Sequence, residues 1–125
     1  MKLELRRGTG TNSATVMYDD SKCTNADMSD HRFGSTNDPS IATQLDEWTE
    51  SYTAGTPNTR IVWVKTNGNS TIYFFANHET ASLESNGDNT FIFFDDFPGT
   101  SLDTDKWTHF ESSAGTGDVT VGSGA

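Results

Sequence analysis

The sequence predicts an all-β protein, an antiparallel β-sandwich of the jelly-roll-like kind, from three observations. Thr, Ser, Asn and Gly number 19, 13, 9 and 11, so the chain is rich in β-branched and turn residues and poor in helix formers. Short apolar runs recur at close spacing between Gly, Asn and Asp turns, as in sandwiches. Because only 32% of the residues are hydrophobic, we expect the 8 Phe, 3 Tyr and 3 Trp to form most of the core.

Composition and charge exclude several classes of protein. No apolar run approaches the ~20 residues of a membrane helix, so we expect no membrane insertion. A net charge of −10 would repel a phosphate backbone, which argues against a nucleic-acid partner. The single cysteine, Cys23, cannot form an internal disulfide.

The first half of the chain predicts four short extended segments. Residues 2–7 alternate apolar and charged side chains, which is the pattern of a half-buried strand, and residues 14–18 give a second strand. Residues 19–30 are polar and acidic and predict a loop, followed by a brief extended piece at residues 31–33. The spacing of apolar residues in residues 41–52 fits a helix, whereas their Thr and Ser favour a strand, and we assign a strand.

The second half gives stronger strand signals. Residues 60–65 are a β-branched and aromatic run, and Asn67-Gly68 after it predicts a hairpin to the next run, because Asn and Gly tolerate the positive φ of tight hairpin turns. Residues 71–75 are apolar on both faces and predict a central strand covered on both sides. Residues 89–94, with three Phe, predict a further strand.

Four blocks of the sequence resemble an uncharacterised family, the domain of unknown function 2341. Residues 27–33 resemble its DFGDIRF block, and residues 63–77 resemble its vWVK and tIYlYYGN blocks. Residues 85–91 are similar to its SNGDATF, and residues 93–107 to its FFDDFeGtsLDtsKW. The blocks follow the family's order.

The resemblance implies a setting and an organisation but no chemistry. Members of the family resemble parts of archaeal and bacterial surface proteins, so we expect an extracellular or cell-surface location. The last block implies a β-sandwich module at residues 1–92 and, at residues 93–125, the start of a concanavalin-like or laminin-G-like sandwich or a terminal strand that pairs in cis or in trans. The resemblance lacks the family's usual strand before Lys2. We expect either a truncated gene or excised fragment, or an incomplete sheet edge that recruits a strand.

We predict that the protein is not an enzyme. The paired carboxylates of a glycoside hydrolase, a G-x-S-x-G elbow and an H-E-x-x-H pair are all absent from the sequence. His31, His78 and His109 are dispersed along the chain, and we expect them to be solvated.

Calcium is the one cofactor for which the sequence contains candidate ligands. Asp95, Asp96, Asp103 and Asp105 lie close together around a Pro-Gly turn, and carboxylate oxygens in loops suit Ca²⁺. The alternative is that these charged turns keep the protein soluble. The aspartates of residues 19–30 form a second acidic loop of the same kind.

Aromatic residues supply the candidate ligand site. Trp48 and Tyr52 stand among acidic and hydroxyl residues and are our candidates for a platform on which sugar rings stack. We expect most of the other aromatic residues to build the core, and we assign five of them to it by name: Trp63, Tyr73, Phe75, Phe91 and Phe93. Asn69-Ser70-Thr71 is an N-glycosylation sequon that has meaning only in a glycosylating compartment.

These observations lead to two functional hypotheses. The first is a non-catalytic, extracellular β-sandwich module that binds a glycan or a surface protein. The alternative is a structural subunit whose partners are copies of itself, assembled into filaments by donating or accepting a β-strand.

Overall fold

In a computed structural model, which describes residues 1–77, 80–110 and 121, the chain divides into two compact units, residues 1–92 and residues 93–125. The first unit holds two sheets, one of four strands and one of two. The helix found in the described residues has four residues. The predicted all-β class is therefore confirmed.

The four-stranded sheet places an N-terminal strand at its centre. Its order is β2 (Val16–Tyr18), β1 (Lys2–Arg6), β5 (Thr59–Val64) and β4 (Glu47–Thr53). β1 runs parallel to β2 and antiparallel to β5, and β5 runs antiparallel to β4. The strands predicted at residues 2–7 and 60–65 are thus neighbours in one sheet.

β1 and β5, the two central strands of this sheet, bury every second side chain. Leu3 and Leu5 are buried in β1, and Val62 and Val64 are buried in β5, while their neighbours in sequence are less buried or exposed. Leu3 is opposite Val62 in the register, so these side chains share one face. That face is the inner face of the sandwich.

The second sheet is much smaller. β3 (Arg32–Gly34) pairs antiparallel with β6 (Tyr73–Phe75), and Phe33 stands opposite Phe74. A Cβ added at Gly34 would come within 2.6 Å of the Phe75 ring, so the two strands require a glycine here.

The core between the sheets is mainly aliphatic, so the predicted aromatic core is wrong. The buried hydrophobic residues are Leu3, Leu5, Cys23, Met28, Phe33, Leu45, Val62 and Val64. Of the aromatic residues assigned to the core, Trp63, Phe75 and Phe91 are partly buried, while Tyr73 and Phe93 are exposed. For Tyr73 and Phe75 the reason is geometric. β6 has three residues, and only the middle one, Phe74, packs against the core.

The Asn67-Gly68 turn forms, but the hairpin predicted around it does not. Asn67 and Gly68 have φ values of 51° and 82°, as a tight turn requires. The strands on either side, β5 and β6, nevertheless belong to different sheets. Both edges of β5 are already occupied by β1 and β4, so the chain crosses to the other sheet instead.

Two further strand predictions are wrong. β6 is an edge strand of a two-stranded sheet rather than a central strand. Residues 89–94 form no strand, because the helix α1 (Gly87–Thr90) ends there and Ile92 is fully exposed. Asn86 caps α1 by accepting a hydrogen bond from the Asn89 N–H at 3.0 Å, and this local bond outweighs β propensity.

The second unit is described between residues 93 and 110. Within these residues the Trp107 ring centroid lies 5.2 Å from that of Phe93 and 5.9 Å from that of Phe97. The described part of this unit contains no strand. Its predicted identity as the start of a second sandwich or as a terminal strand stays a prediction, and residues 111–120 and 122–125 lie outside the described residues.

Candidate functional site

The first unit contains a groove of about 590 Å³ whose lining includes residues of β2 and β6. We call it the β2–β6 groove. Its lining consists of Asn12, Met17, Tyr18, Asp19, Asp20, Ser21, Lys22, Ile72, Tyr73, Phe74, Ala76 and Asn77. Met17, Ile72, Phe74 and Ala76 also pack against the core, so they form an apolar floor beneath a polar rim. An apolar surface with a few polar groups around it is the usual composition of a ligand site.

Residues 19–22, the start of the acidic loop of residues 19–30, form one wall of the groove, and a buried aspartate holds them. Asp19 accepts hydrogen bonds from the N–H groups of Gly8 at 2.7 Å and Ser21 at 2.8 Å through Oδ1, and from that of Cys23 at 3.3 Å through Oδ2. These bonds attach the loop to the end of β1. The wall is therefore attached to the four-stranded sheet through Asp19.

A second buried aspartate holds the far end of the same loop. Asp30 accepts hydrogen bonds from the N–H groups of Thr24 at 2.7 Å and Asn25 at 3.2 Å. Burial alone would raise the pKa of Asp30, but these donors outweigh it and lower the pKa below its usual range. Burial also raises the pKa of the nearby Cys23 to about 12, with a further contribution from Asp30, so this thiol stays protonated.

Three residues on the groove rim have backbone conformations that side chains rarely adopt. Asp20, Ser21 and Asn77 have φ values of 51°, 58° and 71°. Such residues cost free energy and concentrate at ligand-binding positions. The groove therefore combines a fixed wall with strained rim residues.

The two tyrosines of the groove, Tyr18 and Tyr73, differ in how freely their rings can contact a ligand. The Tyr18 ring lies directly against Gly10, where an added Cβ would be 2.3 Å from it, and the Arg6 guanidinium lies 5.8 Å from the ring centroid. These two contacts hold Tyr18 in place. Tyr73 stands at the lip with 36% of its surface exposed. Asp20 and Lys22 add a charged pair to the rim, with the Lys22 Nζ 3.5 Å from the Asp20 carboxylate. Tyr73 is thus the ring best placed to contact a ligand.

The predicted platform residues, Trp48 and Tyr52, lie on opposite faces of β4. Trp48 stands opposite Trp63, and Tyr52 stands opposite the buried Arg60, whose guanidinium lies 5.2 Å from the Tyr52 ring. A register irregularity between Thr49 and Ser51 causes this, since one extra residue moves every later side chain to the other face. The two rings therefore do not form one platform.

Trp48 belongs instead to an aromatic cluster on the outer face of the four-stranded sheet. Phe91 makes edge-to-face contacts with both Trp48 and Trp63, at centroid distances of 5.8 and 5.6 Å. The Trp63 Nε1 donates to Glu50 at 2.6 Å, and Lys2 lies 5.2 Å from the Trp63 ring. The cluster attaches α1 and its flanking chain to the sheet.

The predicted calcium ligands lie in the second unit and bind local donors. Asp95 accepts hydrogen bonds from the Trp107 Nε1 at 2.6 Å and the Phe97 N–H at 2.8 Å, and the Trp107 bond is the main reason why the pKa of Asp95 is lowered. Asp103 accepts from the Asp105 N–H at 3.0 Å. Asp96 is exposed. Among the residues that the structure describes, no group of three or more His, Cys, Asp or Glu has a metal-binding arrangement.

Sequence reasoning missed a buried polar pair in the core. His31 is fully buried rather than solvated, and its Nε2 lies 2.6 Å from Oε2 of the buried Glu47. The His31 Nδ1 lies 2.6 Å from the Met28 carbonyl oxygen, and the ring stacks on Phe74, a floor residue of the groove. His31 lies in the block of residues 27–33, but nothing in the sequence links it to Glu47, 16 residues further along the chain.

Comparisons with known proteins give one result. The model of a family described as a domain of unknown function (DUF2341) matches residues 27–110. That segment includes β3 to β6 and α1. No curated protein and no solved structure matches the chain. In the described residues, no helix is both long and apolar enough to span a bilayer.

Proposed function

This chain belongs to the DUF2341 family, and on that premise we propose that it is a non-catalytic, extracellular β-sandwich module that binds a glycan at the cell surface. The β2–β6 groove is its binding site. The family resemblance supports the surface location. The net charge of −10 is compatible with a soluble exterior.

The composition of the groove is the observation that carries this proposal. A sugar presents C–H faces, which pack on aromatic and apolar surfaces, and hydroxyl groups, which need donors and acceptors. Tyr73 and the apolar floor supply the first kind of contact. Asp20, Lys22 and Asn77 on the rim supply the second. Hydrogen bonds of Asp19 and Asp30 hold the 19–30 loop, which carries Asp20 and Lys22, and this lowers the entropy cost of binding.

Replacing Tyr73 tests the proposal. We expect Tyr73→Ala to weaken binding to a glycan selected from an immobilised glycan library by about tenfold, which corresponds to ~1.4 kcal/mol. Isothermal titration calorimetry on the purified chain measures the change. Because Tyr73 is exposed on an edge strand, the variant should keep the unfolding midpoint of the parent.

Tyr52→Ala is the matched control. Tyr52 is also a strand tyrosine of similar exposure, 40% against 36%, but it lies on β4 away from the groove lining. The proposal requires Tyr52→Ala to bind as the parent does. Loss of binding in Tyr52→Ala with none in Tyr73→Ala would place the site on β4, as the sequence alone predicted.

The same groove supports a second candidate function, filament assembly by strand exchange. β2 and β6 are edge strands, and each has one side without a partner strand in the described fold. At β2 the outward Val16 carbonyl oxygen and Tyr18 N–H already bind Ser13 and Asn12, so β6 is the edge that a strand from another copy would extend, with the apolar floor beside it. Size-exclusion chromatography and electron microscopy separate the candidates. Ordered filaments favour strand exchange, and a compact monomer at high concentration excludes it.

A further inference from the structure

We propose that Asn69 accepts an N-linked glycan, an inference that rests on the extracellular location in the proposed function. Asn69 is followed by Ser70 and Thr71, which satisfies the Asn-x-Ser/Thr rule with a residue other than proline in the middle. Of the nine asparagines in the sequence, Asn69 alone has Ser or Thr two positions later. The chain therefore offers a single acceptor.

The fold presents this tripeptide on the connection between β5 and β6. Ser70 and Thr71 are exposed and belong to no strand. The preceding turn is closed by the Asn69 N–H, which donates to the Thr66 carbonyl oxygen at 2.9 Å, and the same oxygen accepts from the Asn69 Nδ2 at 2.7 Å. The acceptor amide thus lies in a surface turn, the usual place of modified sequons.

The side-chain amide can carry a sugar without losing its bond to the turn. The amide nitrogen has two N–H groups, of which one serves the Thr66 oxygen. In the transfer, the Asn69 Nδ2 forms a bond to the anomeric carbon of a lipid-phosphate-linked sugar. The bond from that carbon to the phosphate oxygen breaks, and the lipid phosphate leaves with the electron pair. The nitrogen gives up its other proton to a base of the transferase, so the N–H that bonds to Thr66 remains.

Secretion of the full chain through a host that glycosylates asparagine tests this inference. We expect the intact mass to exceed that of the polypeptide by one glycan and peptide mapping to place it on Asn69. Enzymatic release in ¹⁸O-labelled water then converts residue 69 to labelled aspartate. The glycosylated and unglycosylated proteins should unfold within ~0.5 kcal/mol of each other, as is usual for surface changes.

Variants in the same turn provide the controls. Thr71→Ala and Asn69→Gln should abolish the added mass, Thr71→Ser should keep it, and Asn67→Gln should leave it unchanged. An unmodified Asn69 from cells that glycosylate a reference secreted protein would overturn the inference, and so would modification that persists in Thr71→Ala. Glycan binding by the groove is measured on unmodified protein made in a bacterial cytoplasm, so failure of either proposal is seen separately.

Discussion

Residues 19–30 and residues 95–105 each carry two neighbouring aspartates followed, a few positions later, by two more. In the first segment Asp19 and Asp30 are buried, and backbone N–H groups surround their oxygens. In the second segment Asp103 is exposed and the partly buried Asp95 binds a nearby indole. Similar sequences thus give a structural loop in one unit and a surface loop in the other, because burial decides which carboxylates the fold depends on.

The change with the largest expected effect concerns a buried ionisable pair, His31 and Glu47. His31 directly follows the first segment in the sequence. His31→Phe keeps an aromatic ring between Phe33 and Phe74 but leaves the Glu47 carboxylate buried without its partner. We expect it to lower the free energy of unfolding by about 3–5 kcal/mol. Urea denaturation followed by tryptophan fluorescence measures the loss.

A double-mutant cycle separates the pair from its packing. Glu47→Leu alone should cost about 1–3 kcal/mol, because it leaves the His31 Nε2 buried without its carboxylate partner. The double variant should cost clearly less than the two single losses together, since no unpaired polar group then remains. Strict additivity would show that the pair contributes nothing beyond shape.

The second test compares one aspartate from each acidic segment. Asp30→Asn places an amide beside the N–H groups of Thr24 and Asn25 and removes acceptor capacity, so we expect a loss of about 1–3 kcal/mol. Asp103→Asn, on the surface, should change the free energy of unfolding by no more than ~0.5 kcal/mol. Equal losses would contradict the distinction between the two segments.

The lowered pKa of Asp30 gives the same test a pH dependence. A carboxylate whose pKa is lower in the folded state stabilises the fold fully above its unfolded pKa, and this stability is lost as the pH falls through the folded pKa. The parent should therefore lose stability between about pH 4 and more acidic values. Asp30→Asn should show a shallower acid loss in the same titration.

How much of the fold the sequence predicts depends on whether the burial of a residue follows from a local pattern or from the whole topology. The alternation in β1 and β5 is a local pattern, and the sequence located both strands. The destination of β6 was not predictable from its own residues, because it depends on β5 having both edges occupied. Local pattern therefore identifies strands, while the choice of sheet requires the whole topology.

The candidate site was less predictable than the fold for a related reason. Trp48 and Tyr52 would share a face in a regular strand, and a single register irregularity separates them. The β2–β6 groove joins residues from both halves of the sequence. Its most exposed aromatic ring is that of Tyr73, which the sequence pattern assigns to the core. Burial of His31 likewise depends on Glu47 and Phe74, which are distant in sequence.

The smallest expected effect is that of calcium on the second acidic segment. Extracellular calcium modules bind with Kd values of about 10⁻⁴–10⁻³ M. At the weak end of that range, ~5 mM calcium should raise the free energy of unfolding by about 1 kcal/mol if Asp95, Asp96, Asp103 and Asp105 hold the ion. Both oxygens of Asp95 already accept hydrogen bonds, and calcium must share them, which keeps the effect small. Thermal unfolding in calcium, in magnesium and in excess chelator measures it. The double variant Asp96→Asn/Asp105→Asn should abolish the response, and an identical midpoint in calcium and chelator would remove the site, leaving these aspartates as surface charge.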